Sequence, residues 1–92
     1  MKNILPVFEK ALNISNRRQF KEIFGEGSYS KVNKIYYSGQ KKAFVVDVTL
    51  YTNYPELLSD SYEVFDDFIS NAWGYIGLKE NLIIVKNFDL IS

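Results

Sequence analysis

Residues 43–52 read AFVVDVTLYT, which is the clearest strand pattern in the chain. Side chains of a strand point alternately to its two faces. One alternating set is wholly apolar and is expected to face the core: Phe44, Val46, Val48 and Leu50. The other set mixes Val45 with polar residues and Tyr51. The pattern therefore predicts a strand with one buried face and one mixed face.

The segment before this strand predicts its hairpin partner. Residues 30–37 read SKVNKIYY and are rich in β-branched and aromatic side chains. Between the two strands lies Ser38-Gly39-Gln40-Lys41, where Gly39 supplies a turn conformation. We therefore expect a β-hairpin here.

The segment after the strand predicts a long amphipathic helix over residues 56–76. Asn53-Tyr54-Pro55 ends the strand, and Gly77 is expected to end the helix. Apolar residues recur at spacings typical of one helical face. That stripe comprises Leu58, Tyr62, Phe65, Ile69, Ala72, Trp73 and Ile76.

The remaining segments predict one further strand and two further helices. Residues 82–88 carry a continuous apolar run, which indicates a strand buried on both faces and therefore a central one. Residues 4–13 have helical apolar spacing. Residues 16–24 fit a helix that ends at Gly25, or alternatively a strand that enters a hairpin at residues 25–27.

Together these elements predict an α+β fold with the order α-α-β-β-α-β. The sheet is expected to be mostly antiparallel, with the helices packed on one face. The 92 residues suffice for one small globular domain, residues 1–92. Apolar residues make up 47% of the chain, which is enough for a core without disulfides or metals.

Composition excludes several kinds of chemistry. The chain contains no Cys and no His, so thiol nucleophiles, thiolate metal sites and imidazole bases are excluded. No nucleophile can be paired with a base. We therefore expect no enzymatic activity, no cofactor, no metal and no small-molecule substrate. No apolar run is long enough for a membrane span, and the N-terminus lacks a signal-peptide pattern, so we expect a cytoplasmic or virion location.

Charge is divided between the two halves of a chain whose net charge is zero. Residues 1–46 contain nine basic and three acidic residues, a net of +6, and residues 47–92 contain two basic and eight acidic residues, a net of −6. This division predicts a basic side and an acidic side that can bind partners or other copies by charge. The candidate partner-binding residues are Asp60, Glu63 and Asp67 on the acidic helix, and Arg17, Arg18, Lys31, Lys34 and Tyr37 in the basic half.

One local motif has a known counterpart. Gly25-Glu26-Gly27-Ser28-Tyr29-Ser30-Lys31-Val32 resembles the glycine-rich loop of protein kinases, Gly-x-Gly-x-x-Gly-x-Val, with Ser30 in place of the third glycine. The resemblance implies a loop whose backbone amides approach nucleotide phosphates. However, Val45 stands where the phosphate-pairing Lys of that family is expected, and no His-Arg-Asp or Asp-Phe-Gly motif follows. A tight turn between two elements is the alternative interpretation.

Three functions from different classes remain open on the sequence. The first is a non-enzymatic protein-binding or assembly component, because the order of elements resembles that of some phage tail-terminator and neck proteins. The second is a small anti-defence inhibitor that binds a host nuclease through the acidic helix. The third is an RNA- or DNA-binding module that uses the basic half, with bases stacked on tyrosines.

Overall fold

A computed structural model of the chain describes residues 4–15, 17–53 and 62–91. The order α-α-β-β-α-β is confirmed, and residues 17–24 are helical, so the alternative strand there is wrong. The start of the long helix, predicted at residue 56, lies outside the described residues. The elements are α1 (Leu5–Ser15), α2 (Arg17–Phe24), β1 (Tyr29–Ser38), β2 (Ala43–Thr52), α3 (Tyr62–Tyr75) and β3 (Leu82–Leu90).

The sheet is mixed, which corrects the expectation of a mostly antiparallel one. Strand order is β1-β2-β3, with β1 antiparallel to β2 and β2 parallel to β3. The reason is the crossover through α3, which returns the chain to the end of the sheet where β2 began. Parallel neighbouring strands need a crossover connection of this kind, most often a helix.

The central strand is β2, and the expectation that β3 is central is wrong. Among the described residues β3 pairs with β2 alone, and it has a half-buried to exposed pattern along its whole length. Its apolar run at Ile83, Ile84 and Val85 places side chains on both faces. A run of this kind is compatible with an edge strand as long as one face is covered by a helix.

The core lies on one face of the sheet, against all three helices, as predicted. Val46, Val48 and Leu50 of β2 are fully buried there, in agreement with the alternation of that strand. Trp73 of α3 is buried with its ring 5.5 Å from that of Phe8 and 5.3 Å from that of Phe44. The core is completed by Ala11, Leu12, Phe24, Val32, Phe65, Phe68, Ile69 and Ala72.

Helix α1 lies against the outer edge of β1 and satisfies its backbone. Asn13 Oδ1 accepts the Ser30 N–H at 2.8 Å, and Asn13 Nδ2 donates to the Ser30 carbonyl at 2.8 Å. One helical turn earlier, Glu9 Oε2 accepts the Val32 N–H at 2.7 Å. Edge strands normally expose such groups to water or to other chains. The two side chains thus close this edge with partners from within the fold.

A β-bulge in β1 sets which residues face the core. Val32 pairs with Val48 and Lys34 with Asp47, so Asn33 is an extra residue without its own partner. In a regular strand Val32 and Ile35, three positions apart, would point to opposite faces. The bulge turns both toward the helices. It also turns Lys34 and Tyr36 to the other face, since each pairs with a β2 residue of that face.

Helix α3 ends as the sequence predicts, in a left-handed glycine. Gly77 has a φ of 87°, the Gly77 N–H donates to the Gly74 carbonyl, and the Leu78 N–H donates to the Trp73 carbonyl. This pair of bonds is the Schellman arrangement, which satisfies carbonyls at the helix end. Because a side chain is strained at this φ, glycine directs the chain out of the helix toward β3.

Replacing Asn13 with Ala should lower the free energy of unfolding by about 2–3 kcal/mol, because the buried Ser30 backbone groups lose their partners. Urea denaturation followed by circular dichroism measures the change. The neighbouring Ile14→Ala is the control, since Ile14 is exposed and should change stability by less than about 0.5 kcal/mol. Equal losses in the two variants would contradict the role assigned to Asn13.

The hairpin turn contains a strained residue that can be relieved. Lys42 has a φ of 52°, a conformation that is costly for a residue with a side chain. Replacing Lys42 with Gly should raise the free energy of unfolding by about 0.5–1 kcal/mol, after the entropy cost of glycine. Lys41→Gly, in the same turn, is the control and should not stabilise. A lower urea midpoint for Lys42→Gly would contradict this expectation.

Candidate functional site

The two outer strands of the sheet come from the two oppositely charged halves of the sequence. Strand β1 of the basic half forms one edge with α1 against it, and β3 of the acidic half forms the other edge, near α3. One ion pair links the acidic helix to its own half, between Lys86 Nζ and Asp66 Oδ1 at 2.8 Å. The helices do not follow this division, because α1 of the basic half packs against α3 of the acidic half.

The acidic candidates on α3 are only partly described. Glu63 and Asp67 are exposed one turn apart on the helix, whereas Asp60 lies outside the described residues. Asp66 between them is engaged by Lys86. Binding of a host nuclease by these carboxylates stays a prediction.

The basic candidates are divided among different surfaces. Arg17 begins α2 and Arg18 is exposed on the same helix. Lys31 and Lys34 are exposed on the face of β1 that points away from the helices. Tyr37 lies on the helix-facing side, where its ring meets Phe44 edge-on at 5.2 Å. The structure thus brings Lys31 and Lys34 together and separates both from Tyr37.

The side of the sheet opposite the helices, here called the open face, is covered by none of the described helices. Tyr29 and Tyr51 stack there with ring centroids 4.9 Å apart, and Tyr36 lies toward the hairpin end with Lys34 Nζ 5.6 Å from its ring centroid. Sequence reasoning did not single out Tyr51, because its proximity to Tyr29 follows only from the register. By register, the open face comprises Tyr29, Lys31, Asn33, Lys34 and Tyr36 of β1, Val45, Asp47, Thr49 and Tyr51 of β2, and Ile83, Val85, Asn87 and Asp89 of β3.

A hydrogen-bonded network ties the three strands together at the centre of the open face. Asp47 Oδ1 accepts from Asn33 Nδ2 at 3.1 Å and from Asn87 Nδ2 at 2.7 Å. Asn33 Nδ2 also donates to Thr49 Oγ1 at 2.8 Å. These amide donors partly compensate the charge of Asp47 and fix the bulge residue Asn33 in place.

An apolar groove lies on the helical side of the molecule, between α1 and the end of α3. This cavity, here called the α1/α3 groove, has a volume of about 400 Å³. The residues that line it are Val7, Lys10, Ala11, Ile14, Tyr75 and Ile76. Val7, Ile14 and Tyr75 are 56%, 60% and 76% exposed. Val7 shares the helical apolar spacing of α1 but faces outward. The core side of that helix is occupied by Phe8, Ala11 and Leu12 instead.

The glycine-rich loop joins a helix to a strand. Gly25 follows α2 with a φ of 97°, and Ser28 Oγ donates to the Phe24 carbonyl at the helix end at 2.8 Å. The buried Thr52 hydroxyl donates to the same carbonyl at 2.6 Å. The glycines of this loop thus serve to end α2 and to begin β1. This agrees with the interpretation of the motif as a tight turn.

Comparisons with known proteins give no indication of function. No protein-family model matches the chain, and searches of curated proteins and of solved structures found no match. Within residues 4–15, 17–53 and 62–91, no helix is long and apolar enough to cross a membrane. Nor does that part of the chain bring together three acidic side chains that could hold a metal ion.

Proposed function

We propose that this chain is a non-enzymatic protein-binding component that receives an amphipathic helix of its partner in the α1/α3 groove. The observation that carries the proposal is the outward face of α1. A surface helix normally presents polar side chains to water. Here Val7 and Ile14 face outward and adjoin the exposed ring of Tyr75.

The spacing of the exposed residues suits a helical partner. Val7 and Ile14 lie two turns apart on one side of α1, about 10 Å along its axis. A helix laid in a groove inserts side chains at spacings of three, four and seven residues. The wall opposite is supplied by Tyr75, a residue type enriched where binding energy is concentrated.

Charge narrows the chemistry of the partner. Lys10 lines the groove one turn from both Val7 and Ile14, and none of the described residues that line it is acidic. Within the described part of the chain Lys10 forms no ion pair. A partner helix with an acidic residue beside its apolar anchors would complement this ammonium group. Charge complementarity of this kind helps to orient the partner helix in the groove and raises the rate at which the two proteins associate.

The setting of this binding is an assembly of several proteins, of which phage tail or neck particles are one instance. The resemblance in the order of elements supports that setting only at the level of architecture. Within such an assembly a small domain can contact a neighbour through its helices while its sheet faces elsewhere. The proposal places the first contact in the α1/α3 groove.

Replacing Ile14 with Glu should release the partner, because it places a carboxylate among the apolar side chains of the groove. The chain, tagged and carrying a photo-crosslinking residue at position 18 of α2, is purified from its source cells with and without the substitution. We expect one cross-linked protein whose yield falls at least about tenfold in Ile14→Glu and also in Tyr75→Ala. Tyr36→Ala, on the open face, is the control and should retain it.

Light scattering on the purified chain measures whether it self-associates. A stable dimer that Ile14→Glu dissociates would mean that a second copy of the chain, and not a partner helix, occupies the groove, and this would overturn the proposal. A monomer that cross-links nothing, or cross-links equally in all variants, would overturn it as well. Because Ile14 and Tyr75 are exposed, circular dichroism is expected to report a native fold for each variant.

A further inference from the structure

We infer that the open face of the sheet is a binding site for single-stranded nucleic acid, independent of the α1/α3 groove. The residues that carry this inference form one row along β1: Tyr29, Lys31, Lys34 and Tyr36. The bulge at Asn33 creates the row. Without the extra residue, Lys34 and Tyr36 would point toward the helices.

The row places two positive charges between two stacking surfaces. Tyr29 and Tyr36 stand at its two ends and are 42% and 48% exposed. Six register positions separate them on the partner strand, from Tyr51 to Val45, or about 20 Å. That distance accommodates a few extended nucleotides. Single-strand binders combine aromatic side chains for the bases with a basic track for the backbone, and the row contains both.

The lysines of the row are available to phosphates. Within the described part of the chain, Lys31 and Lys34 form no ion pair. Lys34 Nζ lies 5.6 Å from the centroid of the Tyr36 ring, so a positive charge and an aromatic surface are adjacent at this end of the row. Beyond Tyr36 the hairpin turn adds two more exposed cations, Lys41 and Lys42, at the same end of the row.

The acidic residues of the open face do not interrupt this track. Asp47 lies on the central strand and accepts two amide N–H groups, and Asp89 lies on β3, two strands from the row. The phosphates would follow β1 at the edge, with the bases directed inward over β2. On either side of β2, Asn33 and Asn87 offer amide carbonyl oxygens to base edges, since their N–H groups donate to neighbouring side chains and, for Asn87, to the Val48 carbonyl.

Single strands fit this surface better than a duplex. The exposed tyrosines lie within a sheet face and do not project as a helix or loop that enters a groove of B-DNA. Bases stack on them only when unpaired and splayed. Tyr51 stacks on Tyr29 from the central strand and so supports the aromatic end of the row. The inference therefore specifies an unpaired strand with little preference for sequence.

The test is fluorescence anisotropy of labelled poly-dT and poly-U oligonucleotides with the purified chain. We expect binding at low salt that weakens steeply between about 50 and 200 mM salt. Tyr36→Ala should weaken it about tenfold through loss of one stacked base, and Tyr36→Phe should retain it. Tyr75→Ala removes a more exposed tyrosine from the helical side and should leave the affinity unchanged.

The contribution of the two lysines is tested by the dependence of the binding affinity on salt concentration. The double variant of Lys31→Ala and Lys34→Ala should reduce the slope of log affinity against log salt by about 1.4, since two phosphate contacts are lost. Lys10→Ala together with Lys21→Ala removes the same charge from the helices and should leave the slope nearly unchanged. Equal slopes for both double variants would show only diffuse charge attraction and overturn the inference.

Two further outcomes would also overturn it. One is the absence of any anisotropy change with either oligonucleotide at about 50 mM salt. The other is loss of a cross-linked protein in Tyr36→Ala while oligonucleotides fail to bind, which would make the open face a protein-binding surface. The first outcome leaves the groove proposal intact, because Ile14→Glu and Tyr36→Ala act on opposite sides of the sheet, whereas the second also contradicts the Tyr36→Ala control of that proposal.

Discussion

The hydrogen bonds from Asn13 to the backbone of Ser30 fix helix α1 against the outer edge of the sheet, and most of the architecture depends on this contact. They occupy the N–H and C=O groups that an edge strand would otherwise expose. Glu9 adds a third bond of the same kind at Val32. With polar side chains directed at β1 and Phe8 and Leu12 at the core, the helix has only one side left for the exterior. That side is the apolar wall of the α1/α3 groove.

The bulge in β1 has a comparable influence on the opposite surface. It lets the side chains of Val32 and Ile35, which are three positions apart, both point to the core face. The same change of register gathers tyrosines and lysines on the open face. The network around Asp47 holds the bulge residue Asn33 on that face. A local irregularity of one residue therefore determines the composition of an entire surface.

The sequence was most informative where signals are local. The alternation of β2, the apolar stripe of α3 and the stop at Gly77 each follow from neighbouring residues. The first and the last are confirmed, and so is the stripe at Phe65, Ile69, Ala72 and Trp73. The position of β3 was not predictable from its apolar run, because such a run occurs both at an edge and at the centre of a sheet. Its parallel direction follows from the crossover, a long-range property. The composition of the open face was only partly predictable from the sequence. Lys31 and Lys34 were named as candidates, but Tyr51 stacks on Tyr29 because of the strand register, which the sequence does not show.

The parallel pairing of β2 with β3 has a consequence for how the chain reaches its native state. The β1–β2 hairpin is a local structure that forms within microseconds, whereas β3 is synthesised only after α3. Until β3 is made, the hydrogen-bonding edge of β2 that β3 later occupies has no neighbouring strand, and β2 is the most apolar strand of the molecule. Non-local parallel contacts form slowly and leave strand edges open to aggregation. The nascent chain on the ribosome thus passes through a stage in which its central strand is exposed to intermolecular pairing.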